Sequence, residues 1–337
     1  MEDSNGPPSV AHLTASLKGG DVGEFSTSLN QFESAAPEDR KDALQALRSL
    51  ASEQPDTLSP VLSALVPFLI DSERSIRLAT AKLFVTVAES YPDEVADVVP
   101  SLAERLADED EFYYVRARAA EALGYVALDD PETVATPETL AELRVGLSFD
   151  EPEVKEKLAK ALEYVALGQP ERLKHQILRL AAHLDDDSEL VRYHLCTAVT
   201  VVGCEHPESL ADCRDELVAR LGDDNVYVRG RAAEALGLLA LSEKIDSPSI
   251  EKSLTALEDD EEPFVTDRAQ FAIKSLTEQS DSADSLEKIG TIPMIRDETD
   301  TILKEITTPD TEGVCSHCGL ALPEHGPPMC PRCGAPR

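Results

Sequence analysis

Val115-Arg116-Ala117-Arg118-Ala119-Ala120-Glu121-Ala122-Leu123-Gly124 returns, identical at nine of ten positions, as Val228-Arg229-Gly230-Arg231-Ala232-Ala233-Glu234-Ala235-Leu236-Gly237. The same frame recurs at Ile76-Arg77, Val154-Lys155, Val191-Arg192 and Val265-Thr266. The six β-branched positions are 39, 39, 37, 37 and 37 residues apart. A fixed period of this size marks a repeat architecture. Two helices of about 15 residues and two turns fill it.

Each copy reads alike. A first helix is led by proline or a polar cap, as from Pro207 to Leu221. An acidic turn follows, Gly222-Asp223-Asp224-Asn225. A second helix then runs from Val228 to Leu241, with Val228, Ala232, Ala235 and Leu239 on one stripe. Pro92, Pro170 and Pro207 suit the first turn of a helix, where a missing N–H costs nothing. Tryptophan is absent and aromatics are 4% of the chain, so the core is aliphatic and rich in alanine. That composition disfavours a β-sandwich or barrel.

From residue 37 to 279 the pattern resembles HEAT repeats, specifically the short class of phycocyanobilin lyases and many archaeal proteins. The resemblance implies an all-α, right-handed α-solenoid of HEAT-like helix pairs. Its signature is an Asp closing the turn, with Arg six residues on: Asp71/Arg77, Asp110/Arg116, Asp186/Arg192, Asp223/Arg229, and Asp260 with Thr266. The third copy departs, with Asp150 one residue short and Lys155 in place of Arg; the last copy has no Arg. In such folds these residues form a structural ladder between adjacent repeats. A degenerate pair, Asp21 to Ala35 and Glu38 to Glu53, is expected to cap the N-terminal end, where an uncovered face would be apolar.

A second row stands three residues after each β-branched position: Ala79, Arg118, Lys157, His194, Arg231 and Arg268. On a helix this places them about 60° from the core stripe, at its edge. Two readings stay open. The row pairs with glutamates on neighbouring helices, or it is a basic groove for an acidic or phosphate-bearing partner.

The repeat stops near Gln279. A polar linker follows, Ser280 to Ser285, then a short helix between Pro293 and Ile306 that docks on the last repeat or offers an apolar face. Cys315-Ser-His-Cys318-Gly and Cys330-Pro-Arg-Cys333-Gly are two knuckles separated by 11 residues. Their spacing lets four thiolates converge on one tetrahedral ion, a structural Zn2+ that resembles a zinc ribbon. Rubredoxin-type iron and two disulfides are the alternatives. Cys196, Cys204 and Cys213 lack knuckle spacing and read as core residues. The organisation is therefore a tail and short helix at 1–20, a repeat solenoid at 21–279, a linker with a short helix at 280–312 and a zinc ribbon at 313–337.

The chain carries 65 Asp+Glu against 31 Lys+Arg, a net charge of -34. Acidity spread along the chain, with few lysines, resembles haloarchaeal proteins. In molar salt the Debye length is about 3 Å, so this charge does not by itself exclude nucleic acid. No apolar stretch reaches the roughly 18 residues of a membrane span, and the acidic N-terminus is unlike a signal peptide, so a cytoplasmic location is expected. No P-loop, nucleophile elbow or H-E-x-x-H motif is present. The expectation is a non-catalytic scaffold for protein partners. A nucleic-acid or ribosome-associated protein is the alternative, and a bilin-lyase-like enzyme a more remote one.

Overall fold

The computed structural model describes residues 7–242, 248–277 and 288–307, and the described residues are helical with no strand. They fall into two compact units, Met1–Cys213 and Arg214–Arg337.

The first unit opens with α1 (Val10–Lys18), α2 (Val22–Glu33) and α3 (Pro37–Glu53). Ser9 and Asp21 cap α1 and α2 through their side chains, and Pro37 starts α3 at a position that needs no N–H. The signature helices follow: α4 (Arg74–Ser90), α5 (Tyr113–Ala127), α6 (Pro152–Gly168) and α7 (Glu189–Glu205). Each packs on the next, α4 on α5, α5 on α6, α6 on α7. Alanine sets the approach. A Cβ added to Gly124 on α5 would sit 2.9 Å from the Cα of Ala161 on α6, closer than any real contact, so this crossing requires glycine.

The first member of each pair is less regular than the sequence suggests. Pro55–Ile70 is a 3-10 helix with Pro60 and Pro67 inside it. Each proline lacks a donor and crowds the carbonyl four residues back, which blocks the α-helical ladder. The next copy breaks into Pro92–Val95, Ala96–Val98 and Val99–Ala107, restarting beside Pro100. Pro207–Cys213 is likewise 3-10 where one continuous helix to Leu221 was expected. The burial pattern survives: Leu58, Val61, Leu62, Leu65 and Leu69 are all in the core.

The second unit holds Arg214–Arg220, α8 (Val226–Ser242), Pro248–Ala256, α9 (Pro263–Thr277) and α10 (Ile292–Thr307). Helices α8 and α9 make the principal packing. Gly237 permits it, because a Cβ there would meet the Phe271 ring at 2.7 Å. Helix α10 buries Ile295, Thr299 and Ile302, so it docks within this unit. Among the described residues no helix is long and apolar enough to cross a membrane.

Candidate functional site

Four acidic turns are closed by a carboxylate that accepts the N–H two residues on. Asp71 takes Glu73, Asp186 takes Ser188, Asp223 takes Asn225 and Asp260 takes Glu262, at 2.8–3.1 Å. This local bond favours the turn over continued helix. The following Arg reaches back to the turn's carbonyls. Arg77 donates to the carbonyl of Asp71 at 2.8 Å, Arg192 to that of Asp186 at 2.9 Å and Arg229 to that of Asp223 at 2.9 Å. Rungs between copies complete the arrangement. Arg77 is bidentate to Glu111, Lys155 meets Asp186, and Arg229 meets Asp260 at 2.8 Å. The hydrogen bond to Glu111 raises the pKa of Arg77 against the opposing effect of burial.

Two positions differ from the sequence reading. Asp110 does not close its turn; its N–H donates to Asp108, which takes that role, and Glu111 receives Arg77. The turn has gained residues, one source of the 39-residue interval. Arg116 accordingly bonds the carbonyl of Leu106 at 2.8 Å and reaches Glu142 at 3.1 Å. A rung that the sequence reading missed joins Arg40 on α3 to Asp71, with N–O distances of 2.9 and 3.1 Å. Arg40 stands 37 residues before Arg77, one repeat interval, but Asp39 takes the place of the β-branched residue that marks the frame elsewhere.

The basic row is matched by carboxylates in both units. In the first, Glu121 on α5 accepts from Arg118 at 2.6 Å and from Lys157 on α6 at 2.8 Å, with Lys160 3.8 Å away. Arg118 also meets Glu153 at 2.8 Å. Burial by itself pushes the Glu121 carboxyl up, but Lys157, Arg118 and Lys160 together hold it down at about 2. Lys160 donates to the Tyr125 hydroxyl at 2.8 Å and lies 4.5 Å over its ring. Burial pushes Lys160 down, countered by Glu121. His194 meets Glu163 through its Nδ1, both side chains buried.

In the second unit Arg231 is fully buried. It meets Glu234 at 2.7 Å and Glu298 of α10 at 3.0 Å. Arg268 meets the same two carboxylates at 3.0 and 2.6 Å and stacks 3.5 Å over Phe264. Gly290, at φ +78° where only glycine sits without strain, donates its N–H to Glu234 at 2.8 Å. Burial raises the Glu234 carboxyl while Arg231 and Arg268 lower it, and the net direction is down.

Arg118, Lys157, His194, Arg231 and Arg268 thus show the pairing that the first of the two readings expects, each beside a glutamate. Three of the five, His194, Arg231 and Arg268, are buried. The acids at the centre, Glu121 and Glu234, were unassigned in the sequence, although one glutamate kept at the same place in two near-identical alanine-rich stretches is the signal that could have found them. Among the described residues no group of three or more His, Cys, Asp or Glu is arranged to hold a metal. Cys315, Cys318, Cys330 and Cys333 lie outside the described residues.

A family model described as HEAT repeats matches residues 99–198 and 177–274. No match was found among curated proteins. Among solved structures, an engineered protein from a structural genomics consortium is similar, with a TM-score of 0.66 and 22% identity over 78% of this chain and 71% of that one. A designed armadillo repeat protein has a TM-score of 0.55 and 19% identity over 64% of this chain and 99% of its own. Another, in complex with the peptide (KR)4, has a TM-score of 0.54 and 18% identity over 64% and 99%. These likenesses establish the fold.

Proposed function

The chain belongs to the HEAT-repeat family, and on that premise we propose that it is a non-catalytic adaptor that engages protein partners on its repeat surface. The observation that carries this reading is the fate of the ionisable side chains. Those at regular repeat positions are committed to turns, rungs and internal pairs, which leaves surface shape as the asset. Stacked repeats present extended surfaces suited to partners, and a designed armadillo repeat protein of similar fold is in complex with a peptide. The nucleic-acid alternative draws on the ribbon and on the basic row, whose side chains already face carboxylates. The bilin-lyase alternative draws on the shared repeat alone.

The same proposal assigns residues 313–337 as a zinc ribbon with Cys315, Cys318, Cys330 and Cys333 as ligands. Four thiolates leave no position for water, so the metal would supply folding free energy and no hydrolysis. The net charge of -34 fits a cytoplasm of high salt, where self-repulsion is screened. A pull-down from lysate at molar KCl, followed by mass spectrometry, tests the adaptor reading. A discrete protein partner is expected. Co-purifying nucleic acid, seen at 260 nm, would favour the alternative. Metal analysis of chelator-free protein should give one zinc per chain, lost in Cys330→Ser while helical circular dichroism persists. Protein with neither zinc nor iron would remove the ribbon.

A further inference from the structure

A groove runs alongside α10, between it and the starts of α8 and α9. Its floor is apolar: Tyr227, Phe264, Met294 and Ile302. The two rings meet edge to face with centroids 5.0 Å apart. Its wall is one stripe of α10, in which Asp297, Thr301 and Glu305 recur every four residues. Both carboxylate residues are exposed, and Glu305 also accepts the Tyr227 hydroxyl. Glu298 is turned inward to Arg231 and Arg268, so Asp297 and Glu305 are the acids that face a visitor, against the single lysine Lys288.

The molecule already shows what this combination holds. Arg268 lies 3.5 Å over the Phe264 ring with its guanidinium 2.6 Å from Glu298. An aromatic face and a carboxylate at its edge grip a cation by ring quadrupole and charge together. The groove offers the same pair of elements outward, from Tyr227 with Asp297 and Glu305. Eight residues of helix place those carboxylates about 12 Å apart. In an extended chain, side chains four residues apart on one face are separated by about 13 Å. We infer that the groove binds an extended segment of a partner protein bearing two basic side chains four residues apart. This rests on the adaptor reading and specifies the partner chemistry for one of its surfaces.

The test uses the full chain and two fluorescein-labelled peptides of equal charge, one with two arginines separated by three serines and one with the arginines adjacent. The spaced peptide should bind more tightly. Asp297→Lys should weaken it about tenfold, and Tyr227→Ala by a similar factor. Glu258→Lys makes the same charge change at another exposed position of this unit and should leave binding nearly unaltered. Circular dichroism verifies that each variant is folded; Asp297, exposed on its helix, keeps the test valid if Tyr227→Ala is not. Equal weakening by Glu258→Lys, or no preference between peptides, would reduce the binding to diffuse attraction by a polyanion and overturn the proposal. A lysate partner captured equally by wild type and Asp297→Lys would overturn the groove and leave the adaptor reading standing. No partner captured by wild type would count against the adaptor reading, while tight, Asp297-dependent peptide binding would still support the groove.

Discussion

Helices α5 and α8 carry almost the same ten residues, yet the acid at their centre lives in two different settings. Glu121 is surrounded by Arg118, Lys157 and Lys160, and Lys157 remains 26% exposed. Glu234 is sealed, its partners Arg231 and Arg268 buried and a second carboxylate, Glu298, laid over them. The difference comes from the neighbours. The copy after α5 contributes lysines, whose flexible stems reach water; the copy after α8 contributes an arginine stacked on Phe264, and α10 closes the site. One motif thus centres a buried glutamate on partly exposed cations or on buried ones. Burial of the charge is decided by sequence well outside the motif.

The comparison can be broken most forcefully at the Glu234 site. Glu234→Ala leaves two buried guanidinium groups sharing Glu298 and orphans the Gly290 N–H; a loss of about 3–5 kcal/mol is expected in denaturant unfolding. Arg231→Glu should be at least as damaging, since it sets three carboxylates around one arginine. Either variant at wild-type stability would refute the account of a sealed cluster.

Acid should expose the Glu121 site next. Lys157, Arg118 and Lys160 hold the folded carboxyl of Glu121 down at about 2, below its ordinary value of 4.5. The stability it contributes is fully present above pH 4.5 and falls away as pH drops towards 2. The linked free energy is about 3 kcal/mol at most. In Glu121→Gln this part of the acid dependence should flatten; an unchanged profile between pH 4.5 and 2 would contradict the assignment.

Smaller effects sharpen the backbone side of the comparison. Gly124→Ala and Gly237→Ala should each cost about 1–3 kcal/mol by overpacking. Gly237→Ala should be at least as costly as Gly124→Ala, since a Cβ at Gly237 meets the Ala272 Cα at 2.9 Å, as one at Gly124 meets that of Ala161, and the Phe271 ring at 2.7 Å besides. The mildest change is Arg77→Lys. It removes a bidentate grip on Glu111 and should lower stability by about 1 kcal/mol. Thermal melts of the three variants would rank them.

The architecture was legible because its period is long-lived and its stripe aliphatic: Val115, Ala119 and Val126 lie in the core at helical spacing. What escaped notice depended on contacts between distant residues or on local covalent geometry. Pro60 and Pro67 turn a helix-like apolar run into a 3-10 segment without altering its periodicity. The partnership of Arg231 with Glu298 spans 67 residues, and no pattern within a repeat announces it. The apolar stripe of α10 includes Ile295 and Ile302, but nothing in the sequence singles out Glu298 from its neighbours Asp297 and Asp300. A constant six-residue offset to Arg116 points to Asp110, whereas the lengthened turn is closed by Asp108.

That displaced turn has a wider meaning. At Asp71, Asp186 and Asp260 a single side chain performs two tasks, fastening its own loop with one oxygen and receiving the previous copy's cation. Between 108 and 111 the tasks are divided, Asp108 fastening the loop and Glu111 receiving the cation. Once two residues share the work, the distance between them becomes adjustable. Inserted residues can then be absorbed in the loop without shifting the phase of the helix that follows. A gene encoding such an array could lengthen one module by small insertions, and it would be free to explore new loop chemistry there while its other modules stayed in register.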